Sequence, residues 1–383
     1  MKLYDYDSLS AVVLSALGAL GVDYSTKTEL NSIKAKKNFD LPKAKKVLVI
    51  LVDGLGYNNL SKRIAHAPYL KKQEIRKLNT SFPSTTAAAL ATFSTGTCPG
   101  QTGILGYSQL NPLKMKLANM LTWENAERPE SLQRITSLFD IAAENNLSTS
   151  MLGYKRFRNS GVTKAIFKSP KFFGQDKPKR RVDDTILALQ SDDFVYLYWG
   201  EIDKTGHKYG WRSAEWSLAL EFFDAELNRL IQNAPKDTLI LLTADHGMID
   251  ADMEKRFEVT QIKELQDGVK ITGGEARAMH LYLDMSSNLA EQSDLQAIVK
   301  SKWQKVLAEY ADVYTKDEAI EEGFFGKVND RIRSRIGDVI VQMKDYATVT
   351  DSRTQTRSSM QLVGYHGSIT PAELEIPLVV VKC

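Results

Sequence analysis

Four nearly uninterrupted apolar runs constrain this chain more than any other feature: Val47–Val52, Phe194–Trp199, Thr238–Thr243 and Pro377–Val381. A strand with one wet face alternates polar and apolar side chains, whereas a strand covered on both faces does not. Such runs predict strands in the middle of a parallel sheet, with helices packed on either side. Helical patterns stand between them, at Ala87–Ser94, Ser131–Asn145 and Ser213–Gln232. Alternation of this kind predicts a doubly wound, mostly parallel α/β sheet between helices. A chain of 383 residues, 43% hydrophobic and 25% charged, can bury a large core of that type.

In open α/β sheets, ligands bind beyond the carboxyl ends of the strands. Metal-type side chains gather at those positions here. Asp53 follows the first run, Asp203 and His207 follow the second, and Asp245-His246 follows the third. His366 lies in Gly-Tyr-His-Gly-Ser, and a hydroxyl cluster, Ser84-Thr85-Thr86, precedes the small-residue helix. The chain has five histidines, and three of them fall in these segments. Alone, Asp53 serves equally well as a turn cap, and Asp203 with His207 as a solvated loop. Each histidine alone fits a packed or an exposed site. The combination points to a two-metal centre around an activated hydroxyl, and so to chemistry on phosphate esters. Imidazole and carboxylate ligands suit zinc, with manganese or iron as competitors. A hydroxyl at a helix start lies beside free backbone N–H groups that can bind a phosphoryl oxygen, although capping is the plainer role for Ser84.

A formal charge of +3 is too small to argue for a nucleic-acid or membrane partner. Cys98 and Cys383 are the only cysteines, which makes a disulfide framework untenable and favours a reducing, cytoplasmic location. The apolar stretch Ala11–Val22 has an acidic flank and is too short to span a bilayer; it predicts an amphipathic helix capped by Ser8 or Ser10. Residues 1–45 form an N-terminal helical extension, 46–253 with 346–383 the metal-binding core, and 254–345 an inserted α+β subdomain. The insert contains a strand at His280–Leu283, a polar helix near 291–310 and a strand at Asp338–Gln342. Residues 155–181 carry ten Lys or Arg against a single acid, Asp176. Lys155, Arg156, Arg158 and Lys179–Arg181 are candidates for receiving an anion, with a solvated surface the plainer reading for most of them. His280 is not assigned to the metals.

Taken together, Val-Asp-Gly-Leu at 52–55, Phe-Pro-Ser-Thr-Thr at 82–86, Asp-Lys-Thr-Gly-His at 203–207, Ala-Asp-His-Gly at 244–247 and Tyr-His-Gly-Ser at 365–368 resemble the alkaline phosphatase superfamily. The branch they resemble most is type I phosphodiesterase/nucleotide pyrophosphatase, over roughly residues 46–253 and 336–383. The resemblance implies an alkaline-phosphatase-like fold and Thr86 as nucleophile. It also implies two divalent ions, one held by Asp203, His207 and His366 and the other by Asp53, Asp245, His246 and Thr86. A covalent phospho-threonine intermediate would form and then be hydrolysed.

The chain departs from the family just outside the ligands. Ala89 and Leu90 stand where nucleotide pyrophosphatases commonly carry Asn and His, and Pro99-Gly-Gln-Thr-Gly103 replaces Pro-x-x-His-Gly. Tyr107 stands where the family places an Asn that contacts a phosphoryl oxygen, and its hydroxyl can donate one hydrogen bond. No Cys-x-Pro-x-Arg signature of sulfatases is present. The expectation is a phosphodiesterase or nucleotide pyrophosphatase acting on a small phosphate ester, with nucleotides among the candidates. The rivals are a phosphomonoesterase and, less favoured because the insert is small, a phosphate-transferring mutase. Oligomeric state is left open by the sequence.

Overall fold

The computed structural model describes residues 3–284 and 289–383. Its two main sheets are built from eleven strands: β1 (Lys46–Val52), β2 (Arg76–Asn79), β3 (Thr149–Gly153), β4 (Lys171–Gly174), β5 (Phe194–Trp199), β6 (Thr238–Thr243), β7 (Val269–Glu275), β8 (Ala278–Leu283), β9 (Ala311–Thr315), β10 (Val339–Met343) and β11 (Glu375–Lys382). The large sheet has seven strands in the order β2-β11-β6-β1-β5-β3-β4. β1 pairs in parallel with both β5 and β6, and β3 pairs in parallel with β5 and β4. Every residue of β5 and β6, and all of β1 but Lys46, is buried, which is why these segments read as unbroken apolar runs.

The fourth apolar run departs from the parallel expectation, because β11 is antiparallel to both β6 and β2. An apolar run reports burial on both faces and carries no information on strand direction. His366 lies at the carboxyl edge of the sheet and only eight residues separate it from β11. A parallel return would need a crossover of a dozen residues or more.

The N-terminal segment also differs from expectation. Helix Val12–Ala19 is buried along its whole length rather than amphipathic. It lies between the Ser32–Asn38 helix and the core of the sheet, beside β1, β6 and the Thr86–Thr95 helix. Ser8 and Ser10 make no side-chain cap; Ser8 precedes a single 3-10 turn, Leu9–Ala11. The pattern over 131–145 resolves into two short helices, Pro129–Leu132 and Leu138–Glu144, and the second starts where the Ser137 hydroxyl accepts the Asp140 N–H.

Residues of the insert form a separate four-stranded antiparallel sheet, β7-β8-β10-β9. The Leu289–Leu307 helix packs beside β9 and β10, and Val299, Trp303 and Leu307 are buried with Met279, Leu281 and Val341 in a second apolar core. No described helix is long and apolar enough to cross a membrane.

Candidate active site

Register brings the central strand ends level. Val52 of β1 stands beside Trp199 of β5, and Leu51 stands beside Thr243 of β6. The next residues therefore leave the sheet at one height, and backbone bonds hold them there. Asp53 N–H donates to Trp199 O at 2.8 Å, and Asp203 N–H donates to Asp53 O at 3.1 Å. Gly54 allows this approach: its φ is +73°, and a Cβ on it would sit 2.8 Å from Asp203 Cβ. Asp245 Oδ1 accepts the N–H groups of Gly54 and His246 at 3.1 and 3.0 Å. Asp203 and His207 lie on one face of the Glu201–Tyr209 helix, one turn apart.

His366 reaches the same place from far along the chain. A two-residue antiparallel ladder pairs Tyr365 with Ile249, which ties the His366 loop to the segment after β6. The rings of His246 and His366 stack with centroids 3.5 Å apart, and His207 lies 5.1 Å from His366.

Each of the three histidines spends Nδ1 on a backbone carbonyl: His207 on Gly364 O, His246 on Gly247 O and His366 on Ser84 O, at 2.8, 3.0 and 2.8 Å. A carbonyl oxygen accepts only, so Nδ1 carries the hydrogen, and Nε2 is the nitrogen that turns to the crevice and offers its lone pair to a cation once the ring is neutral. His246 Nε2 lies 3.3 Å from Asp53 Oδ1 and 3.6 Å from Asp245 Oδ2. His207 Nε2 lies 3.3 Å from Asp203 Oδ2, and His366 Nε2 3.9 Å from Asp203 Oδ1.

The donor set fits divalent cations. Potential ligand atoms within 4.8 Å of one another form two groups, Asp53–Asp245–His246 and Asp203–His246–His366. This grouping differs in detail from the division expected from the sequence, since His246 borders both groups and His207 stands at the edge of the second. Asp53 Oδ1, Asp203 Oδ1 and Asp245 Oδ2 are buried without a hydrogen-bond partner. Three carboxylates in one dry crevice repel one another, and a cation would answer both the burial and the repulsion. Burial and the charge of Asp53 push Asp245 well above the usual carboxylate range. Burial pushes Asp203 up to about 6. For Asp53 burial acts upward, but the close approach of His246 and its charge hold the carboxyl below its ordinary value. Burial likewise lowers His246, yet the charge of Asp245 and its contacts with Asp53 carry it up to about 10.

Thr86 is the first residue of the Thr86–Thr95 helix, and its Oγ1 lies 3.2 Å from His246 Nε2. Thr85, the N-cap, makes no side-chain bond to the first turn, so those N–H groups keep their donor capacity. Ser84 does not cap the helix. Its hydroxyl donates to Ser368 O at 2.6 Å and accepts the Gly367 N–H at 3.1 Å, bracing the His366 loop. Tyr107 lies on the loop after the helix and is 40% exposed. Its N–H donates to Glu275 Oε2 at 3.1 Å.

Of the basic stretch 155–181, Arg181 is fully buried. It binds Glu201 Oε1 at 2.7 Å and Tyr198 O at 3.0 Å, a structural role rather than an anion receptor. Arg156 lies over the rings of Tyr154 and Phe157. His280 is buried in β8, accepts the Gly337 N–H and packs against Phe325, outside the metal cluster.

Two residues near the cluster have no warning in the sequence. Tyr198, read as core because it lies in an apolar run, donates its hydroxyl to Asp53 Oδ2. Burial and the charge of Asp53 raise that phenol well above its usual range. Glu275 comes from the insert, and only the pairing of the insert with the loop after the Thr86 helix brings it near.

A model of the type I phosphodiesterase/nucleotide pyrophosphatase family matches residues 47–369. The chain is 26% identical to phosphopentomutase of Vibrio parahaemolyticus over 138 residues, 35% of this chain and 32% of that protein. It is 34% identical to human ectonucleotide pyrophosphatase/phosphodiesterase family member 7 over 77 residues, 18% of this chain and 17% of that one. The matched region thus spans about a third of the phosphopentomutase and less of the human relative. Among solved structures, an inactive variant of murine ectonucleotide pyrophosphatase/phosphodiesterase 5 in complex with AMP superposes with a TM-score of 0.70 at 18% identity, covering 88% of this chain and 87% of that one. At that identity the likeness shows a shared fold.

Proposed function

The chain belongs to the type I phosphodiesterase/nucleotide pyrophosphatase family, and from that premise we propose that it is a metal-dependent phosphodiesterase or pyrophosphatase with Thr86 as nucleophile. The observation that carries the assignment is the position of Thr86 Oγ1, at a helix start and 3.2 Å from His246 Nε2 in a ring of unpaired carboxylate oxygens. Asp53, Asp245 and His246, with the Thr86 oxygen, would hold one divalent ion; Asp203, His207 and His366 would hold the other. Zinc suits this donor set best. When bound, the ions lower the pKa of the hydroxyl and offset charge on the phosphoryl group.

Thr86 Oγ1 attacks phosphorus, the bond to the leaving oxygen breaks, and water hydrolyses the phospho-threonine ester. The uncapped first-turn N–H groups of the Thr86 helix donate to a phosphoryl oxygen. The Tyr107 hydroxyl supplies a further donor. The three histidines hold their rings in place through their Nδ1 bonds, and the Ser84 hydroxyl fixes the His366 loop against the nucleophile.

The family match favours a diester or an anhydride over a monoester. Nucleotides are a candidate substrate class because the murine structural neighbour binds AMP. The unpaired Cys98 and Cys383 support a cytoplasmic location.

The deciding assay compares bis(p-nitrophenyl) phosphate with p-nitrophenyl phosphate on zinc-loaded protein. Preference for the diester is expected, and a strong preference for the monoester would replace this reading with a phosphatase. The phosphopentomutase relative favours a second reading, a phosphate-transferring mutase. Release of free phosphate separates the two, because a mutase conserves the ester.

A further inference from the structure

The loop that carries the chain from β2 to Thr86 is tethered at every second residue, and the middle tether comes from the N-terminal segment. The Thr80 hydroxyl donates to Asp245 O, and the Thr80 N–H donates to Leu374 O at 2.9 Å. The Ser84 hydroxyl donates to Ser368 O at 2.6 Å. These hydroxyls tie the loop to the segments that carry Asp245 and His366. Phe82 lies midway and has no hydroxyl to give. Its N–H donates instead to the phenolic oxygen of Tyr4 at 3.2 Å.

Residues 3–8 lie against this loop as a strap. The Asn79 N–H donates to Asp7 O at 3.1 Å, and Ser8 forms a single parallel bridge with Asn79. Leu3 is buried in an apolar cluster with Phe82, Phe324 and Phe325. The Phe82 ring centroid lies 4.8 Å from that of Phe324 and 5.7 Å from that of Phe325, so the loop before the nucleophile is packed into the insert. Tyr4 closes this joint with one oxygen. It accepts the Phe82 N–H and donates to Phe324 O at 2.5 Å, with Phe82 O farther off at 3.4 Å. Burial raises the phenol well above its usual range, so the hydroxyl keeps the proton that the second bond needs. Among the described residues, neither the Phe82 N–H nor Phe324 O has another hydrogen-bond partner. A buried amide without an acceptor is costly, so loss of the phenolic oxygen would drive the Phe82 peptide toward a new one.

We propose that Tyr4 is a positioning residue for phosphoryl transfer: its hydroxyl fixes the Phe82 peptide, four residues before Thr86, against the insert and so sets the Thr86 hydroxyl beside His246. This role rests on the phosphoester-hydrolase reading, with Thr86 as nucleophile. Thr86 Oγ1 lies 3.2 Å from His246 Nε2, and a shift of about 1 Å in a reacting group costs about a hundredfold in rate. The carboxylates and imidazoles of the crevice stand on other segments, so metal binding does not depend on the strap.

The test uses zinc-loaded full-length protein as wild type, Y4F and L3A. Kinetics with bis(p-nitrophenyl) phosphate are measured well below each unfolding midpoint, beside bound zinc, urea unfolding and hydrogen exchange at the Phe82 amide. Y4F should lose about tenfold to a hundredfold in kcat, with KM and zinc content unchanged. Exchange at Phe82 should quicken about tenfold in the same variant. L3A thins the same apolar cluster and leaves the phenol in place; it should be less stable than wild type and keep its kcat. A Y4F that is less stable but turns over at the wild-type rate, a loss confined to KM, a loss of zinc, unchanged exchange at Phe82, or an L3A as slow as Y4F would each overturn the proposal. Should wild type hydrolyse no phosphate ester, the functional reading fails instead, and exchange at Phe82 still reports whether Tyr4 holds the loop.

Discussion

Replacing Asp203 by Asn should change the sign of its effect on stability when metal is removed. In the metal-free protein Asp203 is a buried carboxyl with an unpaired Oδ1, and burial raises it from 3.8 to about 6. A raised carboxyl pKa means that the folded state binds the proton more tightly than the unfolded chain. Stability therefore falls as pH rises from about 4 through about 6 and is level beyond that. Two pKa units at about 1.4 kcal/mol each give a cost of at most about 3 kcal/mol at neutral pH, trimmed because 14% of the side chain stays exposed. D203N removes that cost and keeps the shape. Chelator-stripped D203N should thus resist urea better than stripped wild type at pH 7, with the two converging near pH 4. Saturating zinc should reverse the order, since binding most stabilises the form that holds the ion most tightly, by about 4.1 kcal/mol at a thousandfold excess over Kd. A stripped D203N less stable than wild type at pH 7, or equal stabilisation of both proteins by zinc, would refute the idea that these carboxylates are placed for cations.

Three further outcomes follow from the site. T86A should lose turnover while retaining most bound zinc, because six protein ligands remain; metal analysis beside activity checks this, and undiminished hydrolysis would remove Thr86 as nucleophile. Y198F deletes the hydrogen bond to Asp53 Oδ2 and should weaken zinc binding about tenfold to a hundredfold, as loss of an outer partner of a ligand does; competition with a chelating dye measures it, and unaltered affinity would mean that Asp53 needs no such support. R277M removes the buried cation that Glu373 faces from the turn between β7 and β8 and should destabilise the protein by about 3–5 kcal/mol. Urea unfolding reads this directly, and a shift below 1 kcal/mol would show that the pair is not what holds the hairpin tip.

How far the fold could be read from the chain depended on how local each signal is. Val47–Val52, Phe194–Trp199 and Thr238–Thr243 declared strands buried on both faces, since burial leaves a mark on every side chain of the run. The direction of Glu375–Lys382 left no such mark. The Val12–Ala19 helix was legible as a helix but not as a wholly buried one, because its surroundings come from elements distant in sequence. Ser84 looked like a cap, yet its hydroxyl joins Ser368, 284 residues away.

The sequence by itself determined the chemistry on offer: carboxylates, imidazoles and a helix-start hydroxyl placed just beyond hydrophobic strands, where solvation favours a ligand. It determined this because strand periodicity and residue type are local properties. Tertiary structure alone decided which atoms meet. Register set Asp53, Asp203 and Asp245 at one height, and the Ile249–Tyr365 pairing delivered His366. Three backbone carbonyls chose the Nε2 face of the histidines, and the hairpin tip brought in Glu275. Those outcomes depend on contacts between residues tens to hundreds of positions apart, and no window along the chain contains both partners.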